Sequence, residues 1–380
     1  MRRDDAPLVL MLSAAHPVAD TRIVLKEGAA LAAAGFRVRH LAPGPAEDAR
    51  SLHGVTLMTY RRTPGWRARL FGIPALARRA AAAGPAVIQA HEPDAWLAAL
   101  LAARRCGARV VLDVHEHYPS RLDHRLPGWL RPLLLPLVQA ALRGACRAMA
   151  RAADAVVVAK DGLDAEFGGP DRCVKVRNYA TPLPLNPRLH LPGPIALVHL
   201  GALTRARGAF VMLEALMLLP PLVRLRLIGR FTDGSEAEFH ARAQALGVAE
   251  RVETLDWMPR EAAMHRVAEA DIGLVLFQPG VENHRLALPH KLFDCMLAGL
   301  PVVVPELAEE VSAVVREAGC GLAVDTAEPQ AVADAVTRLA DPRERAAMGQ
   351  RGRHAALHRF GWPAEAARLV ELYRALTASQ

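Results

Sequence analysis

Aromatic residues make up only 5% of this 380-residue chain, too few for a platform on which nucleic-acid bases could stack. The five cysteines, Cys106, Cys146, Cys173, Cys295 and Cys320, show no paired spacing. That argues against a disulfide framework and a cysteine-rich zinc site, and it fits a reducing compartment. No apolar run approaches the ~18 residues of a membrane span. The chain has no G-x-G-x-x-G, no G-K-[ST], no H-E-x-x-H and no D-x-D, so the dinucleotide-binding fingerprint, the phosphate loop and the commonest metal-holding motifs are all missing. Met-Arg-Arg followed by Leu8 to Ala15 looks superficially like an export signal. However, Asp4 and Asp5 intervene and His16-Pro17 ends the short run, so the segment reads as a first strand in a cytoplasmic protein.

What is present is apolar and basic. Hydrophobic residues are 52% of the chain, charged residues 23%, and the net charge is +8 with arginine dominating. This composition is globular. The basic excess suits phosphorylated small molecules or an anionic membrane surface better than nucleic acid, and no nucleic-acid partner is expected.

Strands and helices alternate. Strands are expected at 8–14, 36–41, 86–90, 109–114, 155–159 and 173–176, with helices at 23–34, 67–83, 93–105 and 130–153 between them. Near-continuous apolar strands separated by helices imply parallel sheets covered on both faces. A proline-rich stretch, 181–194, then interrupts the pattern, because so many prolines fit neither helix nor sheet. The alternation restarts with strands at 195–200, 223–228, 252–255, 272–277, 302–304 and 321–324. It ends in a helical segment, 346–378, broken near Gly361-Trp362-Pro363. The expected class is α/β, with two Rossmann-like domains facing a central cleft. The first spans 1–185 and the second 186–360, while the helix 361–380 packs back on the first.

Four stretches carry the chemistry. In Leu288-Pro-His-Lys-Leu-Phe-Asp294, Pro289 stands where a first helical residue is tolerated, and the helix N-terminus at Leu288–His290 offers free N–H groups to a phosphate. Lys291 adds charge there, and Asp294 is a lone acid in an apolar helix. The loop Gly201-Ala-Leu-Thr-Arg-Ala-Arg-Gly208 follows a strand. Its Arg205 and Arg207 read either as a diphosphate clamp or as a solvated basic loop. In the first half, His16 lies in Ser13-Ala-Ala-His-Pro-Val-Ala-Asp-Thr-Arg22, where Asp20 and Arg22 are expected to pair and cap the next helix. Two polar clusters stand at strand ends: His91-Glu92-Pro-Asp94, and His115-Glu116-His117-Tyr118.

Pro289 to Val304 resembles the "P-N-K-L-F-E-Y-M-A-A-G-L-P-V-V" signature of family 4-like glycosyltransferases with the GT-B fold. Gly201–Gly208 is similar to that family's "G-x-L-x-x-x-[KR]-G", and the first-half loop to its "H-P-x-x-D-x-R" variant. The resemblance implies a metal-independent hexosyltransferase that uses a nucleotide-diphosphate sugar as donor and retains anomeric configuration. It needs no further cofactor, and its acceptor is unidentified. Donor-binding residues would be Gly201, Arg205, Arg207, Leu288, Pro289, His290, Lys291 and Asp294. Arg207 would sit on the diphosphate and Asp294 on the ribose, with His115, Arg207 and Lys291 catalytic. The base would lie near Arg230 and Asp256–Met258. Acceptor-side residues would be His16, His91, Glu92, Glu116, His117 and Tyr118. Two other readings stand beside it: a GT-B nucleotide-sugar epimerase or phosphorylase using the same donor pocket, and a non-catalytic two-lobed sugar-binding protein, which would need an export signal and no basic clamps at Arg207 and Lys291. Trp129 to Arg147 joins an apolar face to Arg131, Arg143 and Arg147, a composition suited to peripheral contact with an anionic membrane, though Pro132 and Pro136 break its stripe.

Overall fold

The computed structural model describes residues 6–44, 50–62, 65–116, 118, 131–169 and 171–378. Its contacts divide the chain into two compact units, Met1–Asn178 with Trp362–Gln380, and Tyr179–Gly361. The division falls earlier than the expected 185/186 boundary. Tyr179 packs edge-on against Phe293 and Phe360, which draws the first part of the proline-rich stretch into the second unit.

In the first unit the strands are β1 (Leu8–Leu12), β2 (Arg37–Pro43), β3 (Arg50–Leu52), β4 (Val55–Tyr60), β5 (Val87–Ala90), β6 (Arg109–Val114), β7 (Ala155–Val158) and β8 (Cys173–Lys175). Among the described residues they form one sheet in the order β3-β4-β2-β1-β5-β6-β7-β8. All neighbours are parallel except β3 with β4. That hairpin is absent from the sequence expectation. Its two-residue turn, His53-Gly54, has positive φ at both positions (48° and 81°), the primed-turn geometry that matches strand twist. Strand β1 is apolar throughout because both its faces are covered. Leu10 and Leu12 join one core layer with Trp96 and Val110. Val9 and Met11 join another with Trp362, Leu369 and Tyr373 of the helix Trp362–Ala378. The helix expected at 23–34 begins earlier and is wider. Thr21–Gly28 is a π-type stretch and Ala29–Ala33 an α-helical one, and the wide turn places Arg22 and Glu27 in the interior.

The second unit's strands are β9 (Ile195–Leu200), β10 (Val223–Ile228), β11 (Val252–Leu255), β12 (Ile272–Leu274), β13 (Val302–Pro305) and β14 (Gly321–Val324). Their order among the described residues is β11-β10-β9-β12-β13-β14, all parallel. Val198, Leu292, Phe293 and Met296 form the core on one face, and Leu197, Leu225, Leu274 and Val303 the core on the other. The strand order reverses between β9 and β12 here, and between β1 and β5 in the first unit. Such reversals open a crevice beyond the carboxyl ends of the strands, where ligands of α/β sheets bind.

Candidate functional sites at the two strand reversals

In the second unit, the loop after β9 turns at Gly201 (φ 109°). The loop after β10 passes so close that a Cβ on Gly229 would lie 2.1 Å from the Gly201 carbonyl oxygen, so Gly229 can only be glycine. A Cβ on Gly201 itself would stand 4.0 Å from Lys291 Nζ. Thr204 caps the short turn Arg205–Arg207 by accepting from the Arg207 N–H at 3.0 Å. The two arginines then part. The Arg205 guanidinium pairs with Glu238 and lies 3.9 Å over the Phe210 ring, half exposed. The Arg207 charge instead acts on Lys291, His199 and His284 and lowers the pKa of each.

The helix His290–Leu297 carries the rest. Pro289 is its extended N-cap (φ −80°, ψ 145°) and His290 its first residue, one position later than the sequence expectation. Leu288 is buried beneath it. Lys291 is buried, with Nζ 3.0 Å from His199 Nε2 and 5.5 Å from the Phe277 ring centroid. Burial, then the Arg207 charge, hold its pKa well below the ordinary lysine value. Among the described residues no carboxylate pairs with it. Asp294, one turn on, is also buried and accepts from Arg260 at 2.7 Å. His284 stacks on Phe277 at 4.7 Å and shares a hydrogen bond between Nδ1 and the Gln278 carbonyl at 3.0 Å. Arg230 and Asp256 form an exposed ion pair beside Trp257, whose side chain is 66% exposed.

In the first unit, Glu92 accepts from the backbone N–H groups of Ala14, Ala15 and His16 at 2.7–2.9 Å. Its carboxylate therefore fixes the loop after β1. His16 and His115 face each other, Nε2 to Nε2 at 2.8 Å, while their Nδ1 atoms contact Asp20 (3.3 Å) and Asp113 (3.2 Å). Burial opposes protonation of His16, but Asp20, Glu92 and Glu116 outweigh it and raise the pKa. His91 is fully buried with Nδ1 3.0 Å from Asp113. Tyr118 turns into the core, donating its hydroxyl proton to the His91 carbonyl and packing edge-on to Trp96. Glu116 lies just beyond β6, and His117 lies outside the described residues.

The expected pairing of Asp20 with Arg22 is corrected. Asp20 does cap the helix, accepting from the N–H groups of Arg22 and Ile23, but its other oxygen faces His16. The Arg22 guanidinium instead reaches both oxygens of Asp113 (3.1 and 2.8 Å) and Glu27 Oε1 (2.8 Å). Gln89 donates to Glu27, and the Tyr373 hydroxyl donates to Gln89. His91, Asp113 and His115 have metal-like spacing, with ligand atoms within 4.8 Å. Two imidazole N–H groups donating to one carboxylate oxygen already account for that spacing, and Arg22 donates to both oxygens of the same carboxylate.

Sequence reasoning missed His199, His284, Arg260 and the Arg22–Asp113–Glu27 group. His199 carried a signal, as one polar residue within the apolar run of a buried strand.

Residues 21–162 match the sequence description "Glycosyltransferase Family 4" and residues 187–355 match "Glycosyl transferases group 1", so the two together span most of the chain. A D-inositol 3-phosphate glycosyltransferase of Corynebacterium urealyticum is 30% identical over 233 residues, 58% of this chain and 51% of that protein. A GDP-mannose-dependent alpha-(1-6)-phosphatidylinositol monomannoside mannosyltransferase of Mycolicibacterium smegmatis is 30% identical over 219 residues, 56% of this chain and 54% of that protein. The matched region is about half the length of these relatives. Among solved structures, sucrose-phosphate synthase from Thermosynechococcus elongatus superposes with a TM-score of 0.77 at 18% identity, covering 98% of this chain and 100% of that one. Anabaena HepE in complex with UDP gives 0.72 at 18% identity, covering 97% and 99%.

Proposed function

Because this chain belongs to the family 4-like glycosyltransferases of GT-B fold, we propose that it transfers a hexose-type sugar from a nucleotide-diphosphate sugar to an acceptor, with retention at the anomeric carbon. The donor sits on the second unit and the acceptor on the first. The observation that carries this reading is the buried Lys291 amine, which has no carboxylate partner among the described residues and stands beside the Gly201 turn and under the charge of Arg207. A buried amine of this kind is stable as a cation only beside an anionic ligand. The carboxylate of Asp294, with one oxygen held by Arg260, is the group for the ribose hydroxyls. Charge that builds on the departing diphosphate is met by Arg207 and Lys291, so no metal is required. The acceptor hydroxyl proton passes to the leaving phosphate oxygen as the new glycosidic bond forms. A relative named for GDP-mannose and a neighbour holding UDP support this donor class.

Thermal shift tests the reading. At a concentration 100-fold above Kd, a bound nucleotide sugar adds about 2.7 kcal/mol. UDP-glucose or GDP-mannose is expected to raise Tm by several degrees, equally with and without EDTA. If no nucleotide or nucleotide sugar moves Tm, the donor reading fails. A shift abolished by EDTA removes metal independence alone.

We also propose peripheral contact with an anionic membrane through the helix Arg131–Ala152, on which Leu137 is 66% exposed and Val138 is also exposed. Among the described residues no helix is long and apolar enough to cross a membrane. Trp129 lies outside the described residues. The side chains of Arg143 and Arg147 both reach Glu166, so the apolar residues make the cleaner test. Co-sedimentation with anionic vesicles at low salt is expected, falling with added salt and severalfold in Leu137→Asp/Val138→Asp. Absence of binding at low salt overturns the contact.

A further inference from the structure

The Lys291–His199 pair has a consequence that rests on the donor reading and goes beyond it. Among the described residues, every group facing Lys291 Nζ is neutral or cationic. β9 and its loop present His199 and Arg207, and the helix Glu282–Arg285 presents His284. The amine's own helix presents the Cys295 thiol, and Phe277 offers only a ring face at 5.5 Å. The nearest acid along that helix, Asp294, is held by Arg260. An ammonium buried in this way has no counter-charge and is driven to shed its proton. His199 is fully buried, and both burial and the Arg207 charge disfavour its protonation. The free pair is therefore an amine and a neutral imidazole sharing one hydrogen bond at 3.0 Å. Imidazole Nε2 serves the pair in either state, because it can exchange the donor role with a neutral amine and accept from an ammonium.

We propose that this site takes up its nucleotide-diphosphate sugar together with one proton, which converts Lys291 from a neutral amine into an ammonium, and that His199 is the positioning residue that holds Lys291 in both states. The diphosphate brings the counter-charge that the empty site lacks, and the proton comes from solvent. No other bond is made or broken. The sign follows from linkage. The bound state has the higher lysine pKa, so affinity is greatest below the free-state value. It falls up to tenfold per pH unit between the free and bound values.

The test is isothermal titration of the full chain with UDP-glucose or GDP-mannose at about pH 8, in two buffers of different ionisation enthalpy, with Kd followed from about pH 7 to pH 9. A nucleotide sugar is chosen because its diphosphate is esterified at both ends and has no proton of its own to exchange in this range. Net proton uptake is expected, with Kd rising as pH rises. Lys291→Arg, whose guanidinium stays charged, is expected to bind with no uptake and a Kd flat within about twofold. His199→Phe is expected to keep the uptake but begin losing affinity at lower pH, because the ammonium has lost its acceptor. A purely structural His199 would weaken binding equally at every pH. Binding by the unaltered protein without uptake, or uptake that survives in Lys291→Arg, overturns the inference and leaves the donor reading standing. Failure of every nucleotide sugar to bind overturns both.

Discussion

Arg207→Ala is expected to lower kcat/KM for the donor by a factor between about 30 and 1,000, and to leave the unfolding transition nearly where it was. One charge-assisted contact to a developing charge contributes roughly 2–4 kcal/mol to a barrier. Arg207 meets the conditions for such a contact. Its backbone is fixed by the Thr204 cap, and its charge falls on Lys291 and His284. Arg205, two residues away in the same loop, provides the control. Its guanidinium is held by Glu238 and by the Phe210 ring, so Arg205→Ala should change kcat/KM by less than about threefold. Steady-state kinetics of the two variants, with denaturation curves, decide the matter. If the two variants lose activity equally, or Arg207→Ala keeps near-normal kcat/KM, Arg207 leaves the donor site.

The largest effect on stability is expected at Arg22. Its side chain is 5% exposed and lies between Asp113 and Glu27, both fully buried. Removing one member of a buried ionic group leaves an uncompensated charge and costs about 3–5 kcal/mol. Arg22→Met keeps the volume and removes the charge, so urea denaturation should show a loss of that size. The two carboxylates are not equivalent. Asp113 accepts from Arg22 and faces both His91 and His115, and its carboxyl is held well below the usual range. Burial pushes Glu27 up to about 8, against the pull of Arg22. A raised acid pKa means that the folded state favours the protonated form. Glu27 therefore weakens the fold as pH climbs from the ordinary glutamate range toward 8. Glu27→Gln should accordingly be tolerated at neutral pH and flatten that dependence, whereas Asp113→Asn should be costly. Equal losses for Glu27→Gln and Asp113→Asn would sink this division of roles, and an Arg22→Met protein as stable as the parent would sink the whole account.

The legible parts of this molecule are the ones written locally. β1 and β9 are apolar on both faces and stand out in sequence, because a central parallel strand has no polar side. The motif around Lys291 and Asp294 was legible because a helix start, an acid and a glycine stop sit within one short segment. The hairpin of β3 and β4 was missed although His53-Gly54 is a turn signal, because the edge strand β3 is only three residues long and largely exposed, and β4 beside it mixes buried with half-buried residues. The helix Glu309–Ala318 was also missed. Its valines look strand-like, yet Val311, Val314 and Val315 have helical spacing and Gly319 stops it with φ 58°. The partners within the sites were not legible. His199 meets Lys291 across 92 residues of chain, and Arg22 meets Asp113 across 91. Nothing local to either residue encodes that meeting. Only the order of strands in the sheet does.

The return of the helix Trp362–Ala378 to the first unit sets an order on biosynthesis. The face of the first sheet that carries Val9, Met11, Val87 and Val111 is closed by Trp362, Leu369 and Tyr373, and the ribosome makes these after the whole of the second unit. The second unit is one continuous stretch and has all its strands in hand before that helix exists. The first unit, although translated first, is completed last. Until then that apolar sheet face is covered only in part, by Ile23, Val24 and Leu31, and the Gln89 amide is without Tyr373. That interval is when this protein has most to gain from a chaperone.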